Sequence, residues 1–534
     1  MKKIIALLLA LTMCMGMTAL AGEFETVLEK GEYTLPLVTE PTELVYMVRD
    51  SEEPGTSFLN GNSLTMNKLM EMSGVTLVFD CVPNNDYKTV MDLRLASQTD
   101  LPDILSLQGT QDGAHIVRYY EDGILVPLNQ LMADYAPNLS RIYAENPELK
   151  KPMTLPDGEL AAIGNLSAVD GFHAIAIRLD WLEALDLEMP KNPDELIEVA
   201  LAFMEKDPNG NGQNDELGMV GGGLFEFRQP GSLFGLSLCT GSGWMLSEDN
   251  QVICCWTDDA YRDYLRFMNK AYTMGAIPKD FASYDYEQFN ARHANGTIGI
   301  STRTFVGDFV YWLLPDAPNQ INQPGSMWVP IIFEEYQGYK DRLTMEPKAE
   351  KWRSNAITID AKDKALAMRF LDFVMAGEGS EVHRLGIEGV NYTWNDDGIL
   401  VPNDAWRDTY EDKDAFLGNW FFSAYNPKDY TAEGRIARLE NEVPEVYAKV
   451  KPYLDDIAKI ATPAFQSPIP TQEEGVRLSQ IATDMNTYRD EMLVKFINGE
   501  LSIETEWDAY VEQMNAIGAD EMREIYQRGV DNVG

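Results

Sequence analysis

Basic residues are scarce in this chain of 534 residues. Lys and Arg together number 43, against 85 Asp and Glu, so the formal net charge is −42. Nucleic acids and anionic membrane surfaces both require a basic face, and the charge therefore excludes them as main partners. A disordered acidic tail is also excluded, because 45% of the residues are hydrophobic and 10% are aromatic. The length favours two or three folded units, and the charge suits neutral or cationic small molecules or metal ions.

The usual catalytic motifs are missing as well. The four His residues, at positions 115, 173, 293 and 383, lack the close spacing of helical zinc sites. There is no H-E-x-x-H, G-x-S-x-G or Gly-Lys phosphate-binding sequence, and Gly221–Gly223 does not form a dinucleotide fingerprint. Paired carboxylates for glycoside hydrolysis stay open as an interpretation, because so many acids supply many pairs.

Cysteine is rare, with five residues in the whole chain. Four follow the first 21 residues: Cys81, Cys239, Cys254 and Cys255. They are too few and too scattered for a disulfide scaffold, and no C-x-x-C pair suggests zinc. We expect Cys254 and Cys255 to be small buried side chains. The sequence does not decide whether any two of the four form a disulfide.

Long apolar runs are absent after the first residues, so no transmembrane helix is predicted. Residues 1–21 instead have the order of a signal peptide: Lys2 and Lys3, an apolar stretch, and a small-x-small site at Ala19-Leu20-Ala21. Glu23 stands where a lipid-bearing Cys would be expected after Gly22. We therefore expect an exported, extracellular or cell-surface protein whose lipid anchor is doubtful.

Strand and helix patterns alternate along most of the chain. Leu44–Val48, Val75–Phe79 and Asp103–Ser106 have the apolar character of buried strands, and helix-like spacing separates them. A second set begins near Phe172, which predicts two α/β lobes with parallel sheets and a helical C-terminal region. Ligands of such sheets bind beyond the carboxyl ends of the strands, so Gln108 is a candidate binding residue.

One loop has the spacing of a calcium site. Residues Asp207–Glu216 read DPNGNGQNDE, with oxygen-bearing side chains at loop positions 1, 3, 5 and 9. Gly212 falls at position 6, where an EF-hand loop turns sharply, and the carbonyl of Gln213 would serve position 7. Position 12 is Gly218 instead of a bidentate Glu. The alternative is a Gly/Asn-rich turn that ends a helix.

Four segments resemble, in the same order, parts of the large extracellular solute-binding proteins of ABC importers. The resemblance is to the oligosaccharide-binding branch of that family, which includes alginate-binding proteins. The segments are Ile177–Leu182 with Leu185 and Pro190, the loop Asp207–Glu216, the GIEGVNYTW segment Gly386–Trp394, and Phe496–Gly499 with Trp507–Tyr510. Together they span most of the chain after residue 21.

The resemblance implies a two-lobed periplasmic-binding-protein-like fold of type II, whose hinge the chain crosses more than once. Lobe 1 would take residues 40–168 plus 330–395, and lobe 2 residues 169–329 plus 396–534. An oligosaccharide would bind between the lobes, membrane permease subunits would recognise the closed form, and the protein would be a monomer without catalytic activity.

The resemblance also implies a structural Ca²⁺ in the loop. Side-chain oxygens, one backbone carbonyl and an acid replacing the missing position-12 residue would hold it: Asp207, Asn209, Asn211, Gln213, Asp215 and Glu216.

Sugars bind to flat aromatic faces and planar polar groups, and the ten Trp supply candidates. Trp244 follows a glycine-rich turn, Trp420 lies among aromatic residues, and Arg303 follows a predicted strand. Tyr392 and Trp394 belong to the GIEG segment, which resembles a region near the cleft. For each aromatic residue a place in the core is an equally good prediction.

Two other classes of protein stay open. A secreted glycan hydrolase or lyase would share the export signal and the aromatic content, but it would turn over an oligosaccharide. An oligopeptide-binding protein would share the hinged architecture, and peptides would then compete for the site.

Overall fold

The computed structural model describes residues 28–50, 64–83, 85–109, 113–167, 171, 173–239, 242–305, 310–315, 317–333, 335–345, 348–395, 400–402 and 431–533. The predicted signal peptide and Trp420 lie outside these residues.

The first sheet has five strands in the order β2-β1-β3-β12-β4. Their bounds are β1 Thr42–Asp50, β2 Val75–Pro83, β3 Ile104–Gln108, β4 Ile163–Leu166 and β12 Ala349–Ile357. Strands β1, β2 and β3 run parallel, as the alternating pattern predicted, while β12 is antiparallel to β3 and β4. In β3 the residues from Ile104 to Leu107 are all buried, which explains its continuous apolar run.

The second sheet has four strands in the order β10-β5-β9-β6. Their bounds are β5 His173–Arg178, β6 Leu217–Val220, β9 Ile298–Phe305 and β10 Trp328–Pro330. Strands β6 and β9 are parallel, and β5 is antiparallel to β9. Three short ribbons complete the strands: β7 Trp244–Leu246 with β8 Val252–Cys254, β11 Leu343–Thr344 with β15 Ala461–Thr462, and β13 Tyr392–Trp394 with β14 Leu400–Pro402.

Helices cover both sheets. In the first half they are α1 Leu64–Ser73, α2 Tyr87–Ser97, α3 Ala114–Glu121, α4 Asn129–Tyr135, α5 Pro137–Glu145, α6 Pro147–Lys150, α7 Leu179–Ala184, α8 Pro193–Glu205 and α9 Asp259–Met274. In the second half they are α10 Tyr286–Ala294, α11 Pro318–Asn322, α12 Lys364–Met375, α13 Gly379–Leu385, α14 Thr431–Glu442, α15 Pro444–Ile460, α16 Gln472–Ile497, α17 Ile503–Ile517 and α18 Ala519–Val533.

Local sequence sets several of the helix starts. Asn192 caps α8 by accepting a hydrogen bond from the backbone N–H of Glu195, and Pro193 occupies the first turn. Thr471 and Glu474 form a reciprocal capping box at the start of α16. None of the described helices is both long and apolar enough to cross a membrane.

Buried apolar residues form two separate cores. The first contains residues between Leu37 and Leu166 and between Ala349 and Met375, together with Ile469. The second contains residues between Ala174 and Leu343 and from Leu439 onward. The chain therefore passes between the cores after residues 166, 343 and 375, and again on each side of Ile469.

Core membership differs from the predicted boundary at residue 330. Ile331, Phe333 and Leu343 belong to the second core, because the chain after β10 continues along the second sheet. Whether the two cores move as rigid lobes with the predicted boundaries stays a prediction.

The two cores meet closely at one helix pair. Helix α3 of the first core packs on α16, and a Cβ placed on Gly475 would lie 2.8 Å from the Cβ of Ala114. Nearby, the ammonium group of the buried Lys351 donates a hydrogen bond to the carbonyl of Ser467 at 2.6 Å. This contact joins β12 to the segment just before Ile469, where the chain returns to the first core.

Candidate functional site

The carboxyl ends of β6 and β9 share one edge of the second sheet, because these two strands are parallel. The antiparallel β5 begins at the same edge with His173, directly after the chain arrives from the first core. This edge of the second sheet therefore faces the crossing from the first core. Open α/β sheets bind ligands at such carboxyl ends.

Gln108 lies at the corresponding edge of the first sheet. It ends β3, where its register partner on β12 is Arg353, near the point at which β12 enters from the second core. Its backbone N–H donates to the sulfur of Met91 at 3.4 Å. Burial, together with the charge of Arg49, lowers the pKa of Arg353 to about 10.

At the second-sheet edge, Arg303 lies beside the buried carboxylate of Glu226, which no sequence motif indicates. Glu226 is only 3% exposed, and its Oε1 lies 3.7 Å from Nη1 of Arg303. The backbone N–H of Gly222 donates to Oε2 of Glu226 at 2.5 Å, and the hydroxyl of Tyr286 donates to Oε1. Three parts of the chain therefore converge on one carboxylate.

Two aromatic rings lie exposed on this network. Phe225 is 44% exposed and Tyr286 is 54% exposed, in contrast to most large rings of the second core. The guanidinium carbon of Arg303 lies 5.2 Å from the ring centroid of Phe225. We call Phe225, Glu226, Tyr286 and Arg303 the edge site. The sequence signal for it is the glycine run Gly221–Gly223 directly after β6.

Beneath the edge site lies a second group of charges. Arg228 and Arg489 both donate hydrogen bonds to Oδ1 of Asp490. Their guanidinium carbons lie 5.7 and 4.6 Å from the ring of the buried Trp256. Arg228 also lies 5.5 Å from the ring centroid of Phe225, so this group supports the edge site from below.

The other predicted aromatic residues are placed differently. Trp244 is 4% exposed and its ring meets that of Tyr526 edge-on at 5.2 Å, so it offers no free face to a ligand. Tyr392 is 2% exposed; its hydroxyl donates to Glu381 at 3.2 Å and its ring meets Trp394 edge-on. Their role in ligand binding stays a prediction.

The calcium-like loop folds around its own acidic residues. The carboxylate of Asp207 accepts hydrogen bonds from the backbone N–H groups of Asn211 and Gly212 at 3.1 and 2.9 Å. Asn211 accepts from the N–H of Gln213 and donates to Asp215. Gly212 has a φ of 75°, the left-handed conformation that the sharp turn requires. The residues from Asp207 to Asp215 thus form a compact turn.

Glu216 lies just beyond this turn, buried to 5% exposure, and neither carboxylate oxygen has a hydrogen-bond partner. Burial, together with repulsion from Asp207 and Asp215, raises the pKa of Glu216, although the nearby backbone N–H groups of Glu216 and Asp215 oppose this rise. Among the described residues, no group of three or more His, Cys, Asp and Glu side chains is arranged to hold a metal ion. Gly218 cannot be replaced by the usual acid, because a Cβ there would lie 2.6 Å from the carbonyl oxygen of Ala276.

Cys81, Cys239, Cys254 and Cys255 are all free thiols. The last three are buried, as expected for Cys254 and Cys255.

Two α/β cores, linked by several chain crossings and with the carboxyl ends of strands near those crossings, define a two-lobed binding protein. The chain belongs to the family of bacterial extracellular solute-binding proteins, whose model matches residues 65–379. The predicted family is thereby confirmed.

Curated relatives agree with this family. The fructooligosaccharide ABC transporter substrate-binding protein FusA of Streptococcus pneumoniae is 25% identical over 462 residues, covering 82% of this chain and 81% of FusA. The polygalacturonan/rhamnogalacturonan-binding protein YtcQ of Bacillus subtilis is 26% identical over 320 residues, covering 57% and 59% of the two chains.

Solved structures confirm the predicted fold class. The alginate-binding protein AlgQ2 without calcium ion superposes with a TM-score of 0.74 at 21% identity, covering 93% of this chain and 99% of the other. An EF-hand mutant of FusA in complex with fructo-nystose gives a TM-score of 0.69 at 22% identity, covering 92% and 99%.

Proposed function

We propose that this protein is the extracellular substrate-binding component of an ABC importer and that it binds an oligosaccharide between its two lobes. The observation that carries the proposal is the edge site, where exposed rings and an Arg–Glu pair lie at strand ends that face the chain crossing. Aromatic faces suit the C–H surfaces of sugar rings, and planar charged groups suit their hydroxyls. The ligands named for FusA, YtcQ and AlgQ2 support the class of ligand.

The proposed protein binds its ligand without transforming it. It delivers the sugar to permease subunits as a monomer exported by residues 1–21, and lobe closure around the ligand forms the surface that the permease recognises. Gln108 ends a strand of the first sheet and Arg303 lies near the end of a strand of the second, and in the proposed closed state both would contact the sugar.

The test is a thermal-shift screen with kestose, maltotriose, xylotriose, trigalacturonic acid and a tripeptide, followed by calorimetry and product analysis for each hit. A sugar that raises the melting temperature and is recovered unchanged supports the proposal. Steady release of shorter sugars at catalytic protein concentration contradicts it and favours a hydrolase or lyase. Binding of the peptide alone favours an oligopeptide-binding protein.

We further propose a structural Ca²⁺ at the loop Asp207–Glu216. The fit rests on Glu216, since a buried carboxylate with two oxygens lacking partners requires a cation or donors. Side-chain oxygens of Asp207, Asn209, Asn211, Asp215 and Glu216, with the carbonyl of Gln213, would hold the ion, as hard cations prefer oxygen ligands. The ion would neutralise the repulsion around Glu216 and join the loop to the start of β6.

A further inference from the structure

We propose that Phe225 and Tyr286 form a stacking subsite for one sugar ring, and that the buried Glu226 is the positioning residue that organises this subsite. The inference rests on the proposed function and assigns it a specific place on the second-sheet edge. Glu226 acts through its neighbours, because its side chain is buried beneath them.

Both aromatic rings of the proposed subsite are exposed. Phe225 follows Gly221–Gly223 and Tyr286 begins α10, so two distant segments each place an aromatic ring at the same edge. Both rings contact the network of Glu226 and Arg303. An exposed ring beside planar charged groups is the arrangement with which proteins bind the apolar face and the hydroxyls of a sugar.

Donors of the protein satisfy both carboxylate oxygens of the buried Glu226. A buried carboxylate is costly unless donors satisfy it. Here the N–H of Gly222 holds one oxygen, while the hydroxyl of Tyr286 and the guanidinium of Arg303 approach the other. Glu226 therefore fixes the direction of Tyr286 and holds Arg303 beside the ring of Phe225 before any ligand arrives. Such preorganisation reduces the entropy lost on binding.

Gly222 makes the close approach of Tyr286 to the backbone feasible. A Cβ on Gly222 would lie 3.0 Å from Cδ1 of the Tyr286 ring and 3.2 Å from Oε2 of Glu226. Any side chain there would push the ring outward or break the hydrogen bond. The glycine run thus serves the subsite by its small size, as glycine does where other groups approach the backbone closely.

Tyr120 provides a matched control. Its hydroxyl donates to Asp157 at 3.0 Å, and burial with this hydrogen bond raises its pKa to about 12. A tyrosine hydroxyl that donates to a carboxylate therefore also occurs beside the first core, near the C-terminal end of α3. Burial and the hydrogen bond to Glu226 likewise raise the pKa of Tyr286 to about 12.

The first experiment needs no ligand. The ionised fraction of Tyr286 is measured at about pH 11 from its Cζ resonance, assigned with Tyr286→Phe, in the wild type and in Glu226→Gln. Loss of the anionic acceptor should raise this fraction several-fold, because Arg303 then favours the phenolate, while Tyr120 does not change. An unchanged fraction in folded Glu226→Gln overturns the positioning role.

The second experiment measures the Kd for the best sugar among kestose, maltotriose, xylotriose and trigalacturonic acid. We expect Phe225→Ala and Tyr286→Ala each to weaken binding about tenfold, and Tyr286→Phe to weaken it less, while Tyr120→Ala and Tyr120→Phe leave Kd unchanged. If Glu226→Gln does not fold, the loss with Tyr286→Phe tests the positioning hydrogen bond instead.

The outcomes separate the two levels of the proposal. A wild-type protein that binds none of the four sugars contradicts the proposed function and the subsite together. A wild-type protein that binds a sugar, with unchanged Kd in both alanine variants of the edge site, overturns the subsite alone.

Discussion

Two buried glutamates on either side of β6 solve the same electrostatic problem in different ways. Glu226, after the strand, receives a backbone N–H, a tyrosine hydroxyl and an arginine from its own chain. Glu216, before the strand, has no hydrogen-bond partner for either oxygen and lies close to two further acids. The carboxylate of Glu226 is satisfied by donors of the protein itself, whereas that of Glu216 requires a cation or a donor from solution. Chelation, substitution and pH should therefore affect the two sides of β6 differently.

The largest expected effect follows removal of Glu226. Glu226→Ala leaves Arg303 and the hydroxyl of Tyr286 without this buried acceptor, and breaking a buried pair of this kind costs about 3 kcal/mol. We expect urea unfolding to report this loss equally with calcium and with EDTA. Glu226→Gln is the control, because it keeps the size and one oxygen and should lose less. An equal loss in both variants would show that volume, and not charge, determines the effect.

The second effect is the response to calcium. A cation that binds only the folded state adds about 2.7 kcal/mol at a hundredfold excess over its dissociation constant. EDTA should lower the melting temperature of the wild type, added calcium should restore it, and magnesium should be less effective because it prefers a tighter octahedron. Asp207→Ala should abolish this response.

A control for the calcium response comes from the other side of β6. Glu226→Gln should keep the full calcium response, since its carboxylate is satisfied by the protein. An unchanged melting curve after chelation, with no metal found by elemental analysis, would leave the loop as a plain turn and return Glu216 to an unexplained buried acid.

A buried base gives the third and smaller effect. The imidazole of His293 lies 3.8 Å from the ring centroid of Trp312, and burial, with the nearby Arg178, lowers its pKa to about 3. The unfolded chain takes up this proton near pH 6.5, so stability falls as the pH drops below that value. At about pH 5 the loss is about 2 kcal/mol.

His293→Phe isolates this contribution, because Phe keeps a ring among Phe289, Trp312 and Trp328 and cannot be protonated. Its unfolding free energy should fall less than that of the wild type between pH 6.5 and 5. The comparison of the two proteins is needed because burial raises the pKa of Asp341 to about 6. Protonation of this carboxyl adds stability in both proteins as the pH falls below that value, which opposes the effect of His293. Parallel pH profiles would contradict the assignment to His293.

The same two glutamates show what sequence could and could not predict. The loop near Glu216 is contiguous, so its ligand spacing, its glycines and even its departure at Gly218 were visible in ten or so residues. Strands such as Ile104–Gln108 and helices such as Gln472–Ile497 were predictable for the same reason, because period and capping are local. The edge site joins residues near 225, 286 and 303; the pairing of β6 with β9 brings the first and the last of these segments together, and a hydrogen bond from Tyr286 to Glu226 joins the other.

The sequence also did not predict how individual aromatic rings pack. Trp244 follows a glycine-rich turn, as an exposed binding residue could, but the C-terminal helix α18 supplies Tyr526 and covers it. Local composition does not indicate that a residue distant in sequence will bury a side chain. Arg303 was selected because a strand end is a local feature, and the structure places it within β9 near its end. Its partner Glu226 has no such local signal.

The smallest effect is a change of sign at Glu216. Without calcium, Glu216→Gln removes a buried charge that has no hydrogen-bond partner and that is repelled by Asp207 and Asp215, so it should gain up to about 1 kcal/mol. With saturating calcium the same variant should lose stability relative to the wild type, because a charged oxygen ligand is gone. Urea unfolding of both proteins, in EDTA and in calcium, shows whether the more stable protein differs between the two conditions. If Glu216→Gln is less stable in EDTA as well, the carboxylate has a partner of its own and the contrast with Glu226 disappears.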